Sequence, residues 1–225
     1  MARDALTREQ IVRTAVELLD EDGLEGLNMR SLGKRPGAAA TAVYWHVRNK
    51  DELVLAAADL AWQEIPLPAH DAAPGHWPPA ALALDLHAMF VRHPWLVQAF
   101  GSYLFHGPGK ARFDDHTLGL YEQAGFAPAD ADLLAAAVFT YVLGSALGAA
   151  ATASLERRLG RDGEDPKERV AAALARAAET ARGFPRLRAR LEQPEAADYA
   201  GAPDRTLEAG LDALLSGLEA RLAVD

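Results

Sequence analysis

Ten consecutive residues carry the densest chemistry in the chain: Thr41-Ala42-Val43-Tyr44-Trp45-His46-Val47-Arg48-Asn49-Lys50. They hold a phenol, an imidazole, a guanidinium and an ammonium, and no acidic group. Small side chains at Ala40 and Ala42 allow a close approach, while Tyr44, His46 and Lys50 supply donors. That is the equipment of a surface lying against a polyphosphate. Val43, Val47 and part of the Trp45 indole read instead as packing for a small core. The bland alternative for the whole stretch is an amphipathic turn whose aromatics fill that core.

Charge distribution favours the polyphosphate reading. The chain has a formal net charge of −9, but residues 26–50 contain five basic groups (Arg30, Lys34, Arg35, Arg48, Lys50) and no acid. Residues 51–225 carry 15 basic against 25 acidic groups. The local field, not the total, decides binding. Catalytic equipment is thin elsewhere. There are no cysteines, hence no disulfide, thiolate or zinc-thiolate chemistry. No HExxH, GxSxG, P-loop or GxGxxG is present, and the seven histidines are scattered. Asp114-Asp115-His116 are consecutive helical residues that point in different directions, so they read as a solvated face rather than a metal site. No catalytic residue, metal or cofactor is expected.

The donor-rich stretch needs a scaffold to position it. Thr7-Arg8-Glu9-Gln10 has the form of a capping box and starts a first helix. Ile11, Val12, Ala15, Leu18 and Leu19 give it one apolar stripe, and Gly23 ends it as the residue best able to take a left-handed conformation. Asn28 caps a second helix, Met29 to about Arg35, with Leu32 facing inward. Gly37 turns the chain into a short third helix, about Thr41 to Val47. Asn49 caps a fourth, with Leu53, Val54, Ala57, Leu60 and Ala61 buried until Pro66 stops it. Helix, glycine turn, short helix, tight turn and donor-rich short helix make the plan of a helix-turn-helix reader of DNA.

At these residues a resemblance becomes specific. Thr7–Leu53, with Leu24-Glu25-Gly26-Leu27-Asn28-Met29-Arg30 followed by Tyr44-Trp45-His46-Val47-Arg48-Asn49-Lys50, resembles the DNA-binding domain of the tetracycline-repressor (TetR) family. It covers about the first 60 residues strongly and the rest, a tetracycline-repressor-like C-terminal domain, in layout. The resemblance implies that Arg30 reaches a base edge from the start of the second helix. Ala40, Thr41 and Ala42 open the recognition helix on the floor of the major groove. Tyr44, His46 and Lys50 lie on phosphates, with Trp45 and Arg48 in the same DNA-contacting set. Two departures stand out. Gly33 and Pro36 replace the family's helix formers and core leucine, and Pro36 cannot donate to the Leu32 carbonyl. Position 40 is Ala, so no base-specific hydrogen bond comes from it.

Five prolines between residues 66 and 79 form a stiff connector. They divide the chain into a DNA-binding domain (1–65), a connector (66–79) and a ligand-binding and dimerisation domain (80–225). Helices are expected at about 79–92, 94–100, 110–124, 130–158, 166–182, shortly after Pro185, and at 204–222. The fold class is therefore all-α, an N-terminal three-helix helix-turn-helix domain plus a larger helical domain; no period-two strand pattern appears.

Leu133 to Leu155 runs 23 residues without a charge. By length it could span a bilayer. It is Ala-rich, contains Thr140, Ser145, Thr152 and Ser154, and stands alone, so a helix buried on nearly every side is the better expectation, with no membrane partner. Gly144 and Gly148 either admit another helix closely or fit a crowded core within the chain. Leu207, Leu211, Leu214, Leu215, Leu218 and Leu222 recur at helical spacing, a stripe wide enough for a core and a partner helix. Gly144, Gly148, Leu211, Leu214 and Leu218 are thus the expected homodimer contact. Leu86, Phe90, Phe100, Tyr103, Phe105, His106, Phe113 and Phe139 flank the central helix and are expected to line a cavity for a flat, multi-ring molecule. For Phe90 and Phe139 plain core remains open. His106 could touch the ligand or a ligand-borne metal, or simply bond to backbone.

No signal sequence is read in residues 1–22, so the cytoplasm is the expected location. The function expected is a ligand-responsive transcriptional repressor that binds double-stranded palindromic operator DNA as a homodimer. A small, hydrophobic, multi-ring effector releases it, and efflux, resistance or secondary-metabolite genes are its targets. Against this stand a small-molecule-binding or enzymatic helical protein with a vestigial helix-turn-helix, and a membrane-associated helical protein.

Overall fold

The computed structural model describes residues 7–33, 35, 46–68, 78–161, 165–193 and 203–222. Every regular element among them is a helix. The first, α1 (Arg8–Gly26), starts at a complete capping box: Thr7 Oγ1 accepts from the Gln10 N–H at 3.2 Å, and Gln10 accepts from the Thr7 N–H at 2.9 Å. Gly23 interrupts it with φ +70°, a value that L side chains rarely adopt, and one further turn continues to Gly26. A second capping box, Asn28 with Ser31, opens α2 (Met29–Leu32). This helix is shorter than the expected Met29–Arg35. Gly33, among the poorest helix formers, stands at its C-cap. Asn49 caps α3 (Lys50–Gln63), its Oδ1 accepting from the Glu52 N–H at 2.8 Å. The expected third helix and Pro36 lie outside the described residues, apart from His46 and Val47.

The larger part holds α4 (Pro78–Arg92), α5 (Pro94–Ala99), α6 (Pro108–Gln123), α7 (Pro128–Arg161), α8 (Pro166–Arg182), α9 (Pro185–Leu191) and α10 (Pro203–Leu222). Proline in the first turn fixes φ where no intrahelical N–H is needed, and all seven of these helices begin with one. The axis is α7. It packs against α4, α5, α6, α8 and α10, and touches α1. Meanwhile α1 packs on α3 and α5, and α3 packs on α6, so one hydrophobic core runs continuously through both parts.

One expectation is corrected here: α7 is not buried on nearly every side. Ala131, Leu134, Val138, Val142, Ala146 and Ala150 face the core. On the opposite face Leu133 is 67% exposed and Leu147 57%, with Ala137, Thr140, Gly144, Gly148 and Ala151 exposed between and beyond them. A charge-free run shows that a helix is meant to be covered, not by what. The described residues supply cover on one side only. The length and composition of α7 would suit a bilayer crossing, yet its inner face is built against helices of the same chain. Beside it, α10 buries Leu207, Leu211 and Leu215, and Tyr141 Oη donates to the Thr206 carbonyl at 2.7 Å. Gly210 makes room for that Tyr141 ring, which a Cβ would strike.

Candidate functional site

The expected DNA-contacting residues hang on α1 to α3. Ile11, Ala15, Leu19, Leu32, Val47, Leu53 and Val54 are buried together and fix the three helices on one another. Arg30 projects into solvent from α2, and His46 and Arg48 are exposed just before α3. Neither Arg30 nor Arg48 has an ion pair among the described residues. Two cations of the acid-free segment are partly spent within the chain. Arg35 turns back onto Glu21 of α1. Lys50 Nζ donates to the Leu24 carbonyl, which ties the start of α3 to the turn after Gly23. An ammonium has three donors, so two stay available at Lys50. Ala40, Thr41, Ala42, Tyr44 and Trp45 lie outside the described residues.

In the larger part most of the expected cavity residues meet in one chain of rings. Trp62 of α3 is at its centre, with ring centroids 5.0 Å from Phe113, 6.2 Å from Phe90 and 6.2 Å from Phe139. Phe100 lies edge-on to Phe90 at 5.8 Å and to Phe139 at 5.5 Å, then continues to Phe105 at 4.8 Å and on to Tyr103. Phe90 is fully buried core. Leu86 joins Phe113 and Phe139 around a narrow gap. A cavity of about 270 Å³ opens between α6 and α7, walled by Phe113, Phe139 and Leu118 and edged by Lys110, Asp114, Thr117 and Asp132. His106 does not join the rings. It is exposed and borders a separate open groove with Arg8, Glu52 and Asp59.

Trp62 and Lys110 are members that sequence reading did not find. Trp62 sits at ordinary core spacing in α3, and nothing local marks it as the centre of a ring cluster. Its Nε1 is buried without a hydrogen-bond partner among the described residues. Lys110 Nζ lies 5.2 Å from the Trp62 ring centre, 5.6 Å from that of Phe139, and 2.5 Å from Asp114 Oδ2.

Helix α3 joins the two regions and is locked at several points. Near its start, Tyr103 Oη donates to Asp51 Oδ1 at 2.9 Å. Burial, then the Asp51 carboxylate, holds the Tyr103 phenol above its ordinary pKa. Midway, Asp59 Oδ1 accepts from the Gly109 N–H at 2.7 Å and so caps α6 from another helix. A Cβ on Gly109 would stand 2.4 Å from the Asp59 carbonyl oxygen, so only glycine permits this approach. In return, Arg112 of α6 donates to the carbonyls of Gln63 and Ile65 at the end of α3. Beyond it, His93 is 3% exposed and lies between two carboxylates, Nδ1 2.8 Å from Asp20 and Nε2 3.2 Å from Glu64. Burial works against its charged form, but the Asp20 and Glu64 bonds outweigh burial and raise its pKa. Trp95 Nε1 also donates to Asp20 Oδ1, and Arg157 to the Asp20 carbonyl.

Of the expected dimer contacts, Gly144 and Gly148 are exposed and a Cβ on either meets open space, which removes the crowded intrachain core as their explanation. Leu214 is half-buried. Leu211, at 3% exposure, packs inside the chain, where α10 meets α7. The Leu218 side chain lies outside the described residues.

Residues 11–57 match the family described as bacterial regulatory proteins, tetR family, and residues 77–222 match the tetracyclin repressor-like C-terminal domain. An HTH-type transcriptional regulator of Saccharopolyspora erythraea is 36% identical over 140 residues, 62% of this chain and 59% of that protein. The HTH-type transcriptional repressor DrrR1 of Streptomyces coeruleorubidus is 32% identical, and again 59% of its length is covered. The chain thus spans under two thirds of the length of these two relatives. The tetracycline repressor protein class C of Escherichia coli is 30% identical over 95% of this chain and 91% of its own. Among solved structures, a possible TetR family transcriptional regulator from Streptomyces coelicolor A3(2) superposes with a TM-score of 0.71 at 29% identity, covering 95% and 99% of the two chains. The Streptomyces coelicolor protein ActR, solved with actinorhodin, gives 0.71 at 24% identity over 96% of each chain, a likeness of fold.

Proposed function

The chain belongs to the tetR family of bacterial regulatory proteins, and from that premise we propose that it is a cytoplasmic, ligand-responsive repressor. It binds a palindromic operator as a homodimer through Arg30, residues 40–48 and the start of α3. It lets go when a small, flat, multi-ring molecule enters the aromatic cavity, and efflux, resistance or secondary-metabolite genes are under its control. The observation that carries this reading is the course of α3. Its first residue, Lys50, belongs to the DNA side, and Trp62 near its end is the hub of the ring cluster. Asp59 and Arg112 fasten the helix to α6, a wall of the cavity.

The mechanism follows from spacing. Two recognition helices reach successive major grooves only when their centres are about 34–36 Å apart, or a multiple of that. The exposed apolar face of α7, from Leu133 to Ala151, is what a second copy covers to set the distance. A ligand that fits better when α6 and α3 shift favours a different distance and weakens operator binding by linkage. The name of the class C tetracycline repressor supports repression rather than activation.

The test is fluorescence anisotropy on duplexes selected from the genome that encodes the protein, with and without a panel of multi-ring compounds. Tight, salt-sensitive binding to a palindrome that some panel member reverses is the expected result. Binding to no duplex, or binding that no cavity ligand alters, overturns the proposal.

A further inference from the structure

The cavity between α6 and α7 already holds a positive charge. Lys110 lies in the first turn of α6, and its ammonium sits 5.2 Å from the Trp62 ring centre and 5.6 Å from that of Phe139. Those two rings are 19° from parallel. Asp114 Oδ2 is 2.5 Å from the same ammonium, and Asp132 edges the same cavity from the start of α7. Two ring faces and a carboxylate round one ammonium, with a second carboxylate on the cavity edge, are the equipment that holds organic cations.

The charge count decides which effector such a site accepts. The lining has one cation and two carboxylates. It is negative with Lys110 in place and more so once Lys110 swings away. An entering anion meets Asp114 and Asp132, whereas an entering cation is drawn in. The hold on Lys110 is also loose. Its Asp114 partner is 48% exposed, the lysine side chain is itself 21% exposed, and a four-carbon stem reaches water by rotating. We propose that Lys110 stands in for the effector's own cation: the effector is a planar aromatic molecule bearing a protonated amine, which displaces the lysine ammonium from Trp62, Phe139 and Asp114 in the cavity that Asp132 also edges. This rests on reading the cavity as the effector site. Displacement acts where coupling needs it, because the Gly109 N–H next to Lys110 is the one that Asp59 of α3 caps.

Calorimetric titration of the full chain with two tricyclic probes tests the proposal: 9-aminoacridine, a cation at neutral pH, and 9-anthracenecarboxylate, an anion of similar shape. The cation is expected to bind at least about ten-fold tighter than the anion, the worth of one ion–ring contact. Lys110→Ala should tighten the cation about five-fold by removing its competitor, and Lys110→Gln, which keeps most of the stem, should do the same. Asp114→Asn with Asp132→Asn should weaken it about ten-fold. Thermal unfolding confirms that each variant is folded. If both Lys110 variants leave the cation's affinity unchanged or lower it, the proposal is overturned. If the anion binds tighter and loses affinity in Lys110→Ala, Lys110 is the effector's partner, and the proposal is overturned while the effector-site reading stands. If neither probe binds any variant, the effector-site reading falls with it.

Discussion

Asp59→Ala removes one of the fastenings between α3 and α6 without touching either an expected DNA-contacting residue or a ring. The carboxylate accepts from the Gly109 N–H at 2.7 Å, stands 3.4 Å from the Lys110 N–H, and accepts from Gln63 Nε2 at 3.1 Å. The first two belong to an N-terminal cap, whose loss costs about 0.5–2 kcal/mol. The Gln63 bond is exposed and adds little. The expected destabilisation is therefore about 1–2 kcal/mol in urea unfolding, or about 2–4 °C of melting temperature per kcal/mol for a chain of this size. Asp59→Asn keeps one acceptor oxygen and should lose about half as much. Operator affinity without ligand, measured by anisotropy, should stay within about two-fold, since Asp59 bonds to α6 and to Gln63 and not to an expected DNA-contacting residue. The factor by which a cavity ligand weakens DNA binding should shrink, because α6 then moves without carrying α3. Two results refute this reasoning. A loss below about 0.5 kcal/mol means that the cap is not holding the joint. A collapse of DNA affinity in the absence of ligand means that Asp59 acts on the DNA side.

His93 should stabilise the fold most in mild acid. Its folded pKa lies above the unfolded value of about 6.5, so its contribution is complete below that value and fades as pH rises through the folded pKa; the gap in unfolding free energy between the protein and His93→Gln should be wide near pH 6 and narrow toward pH 9, and a constant gap contradicts the two-carboxylate clamp. Lys50→Ala should weaken all duplexes alike and reduce the salt slope by about one unit, whereas Arg30→Ala should relax preference at one position per half-site at about 1–3 kcal/mol; uniform losses from both would show that Arg30 reads no base. Gly148→Leu meets open space within one chain, so it should leave the fold intact yet shift sedimentation from dimer toward monomer; an unperturbed dimer places the contact elsewhere on α7.

The local chemistry of the helix ends was legible in the sequence. The Thr7–Gln10 box, the Asn28 and Asn49 caps and the left-handed Gly23 are decided within four residues, and all stand in the structure. The family resemblance was carried by motifs of the same short range. Contacts between distant residues left no comparable trace. Asp59 capping Gly109 spans 50 positions, and no pattern around Asp59 distinguishes it from a solvated helix aspartate. Trp62 and Lys110 were missed for the same reason, while His106, conspicuous among aromatics, turned out to face an open groove. The α7 run misled in a third way. Hydrophobicity reports that a surface is covered, and it is silent on whether the same chain or another one does the covering.

Reciprocity offers the most direct test of the coupling between cavity and DNA. If ligand weakens operator binding by some factor, operator must weaken ligand binding by the same factor. Calorimetric titration of an effective cavity ligand into the free protein and into the protein saturated with operator measures the second factor, for comparison with the first from anisotropy. The account predicts a fall of about 5- to 150-fold that agrees with the DNA-side value and is smaller in Asp59→Ala. Equal ligand affinity in the two titrations would contradict it, because the cavity and the DNA-binding helices would then be independent.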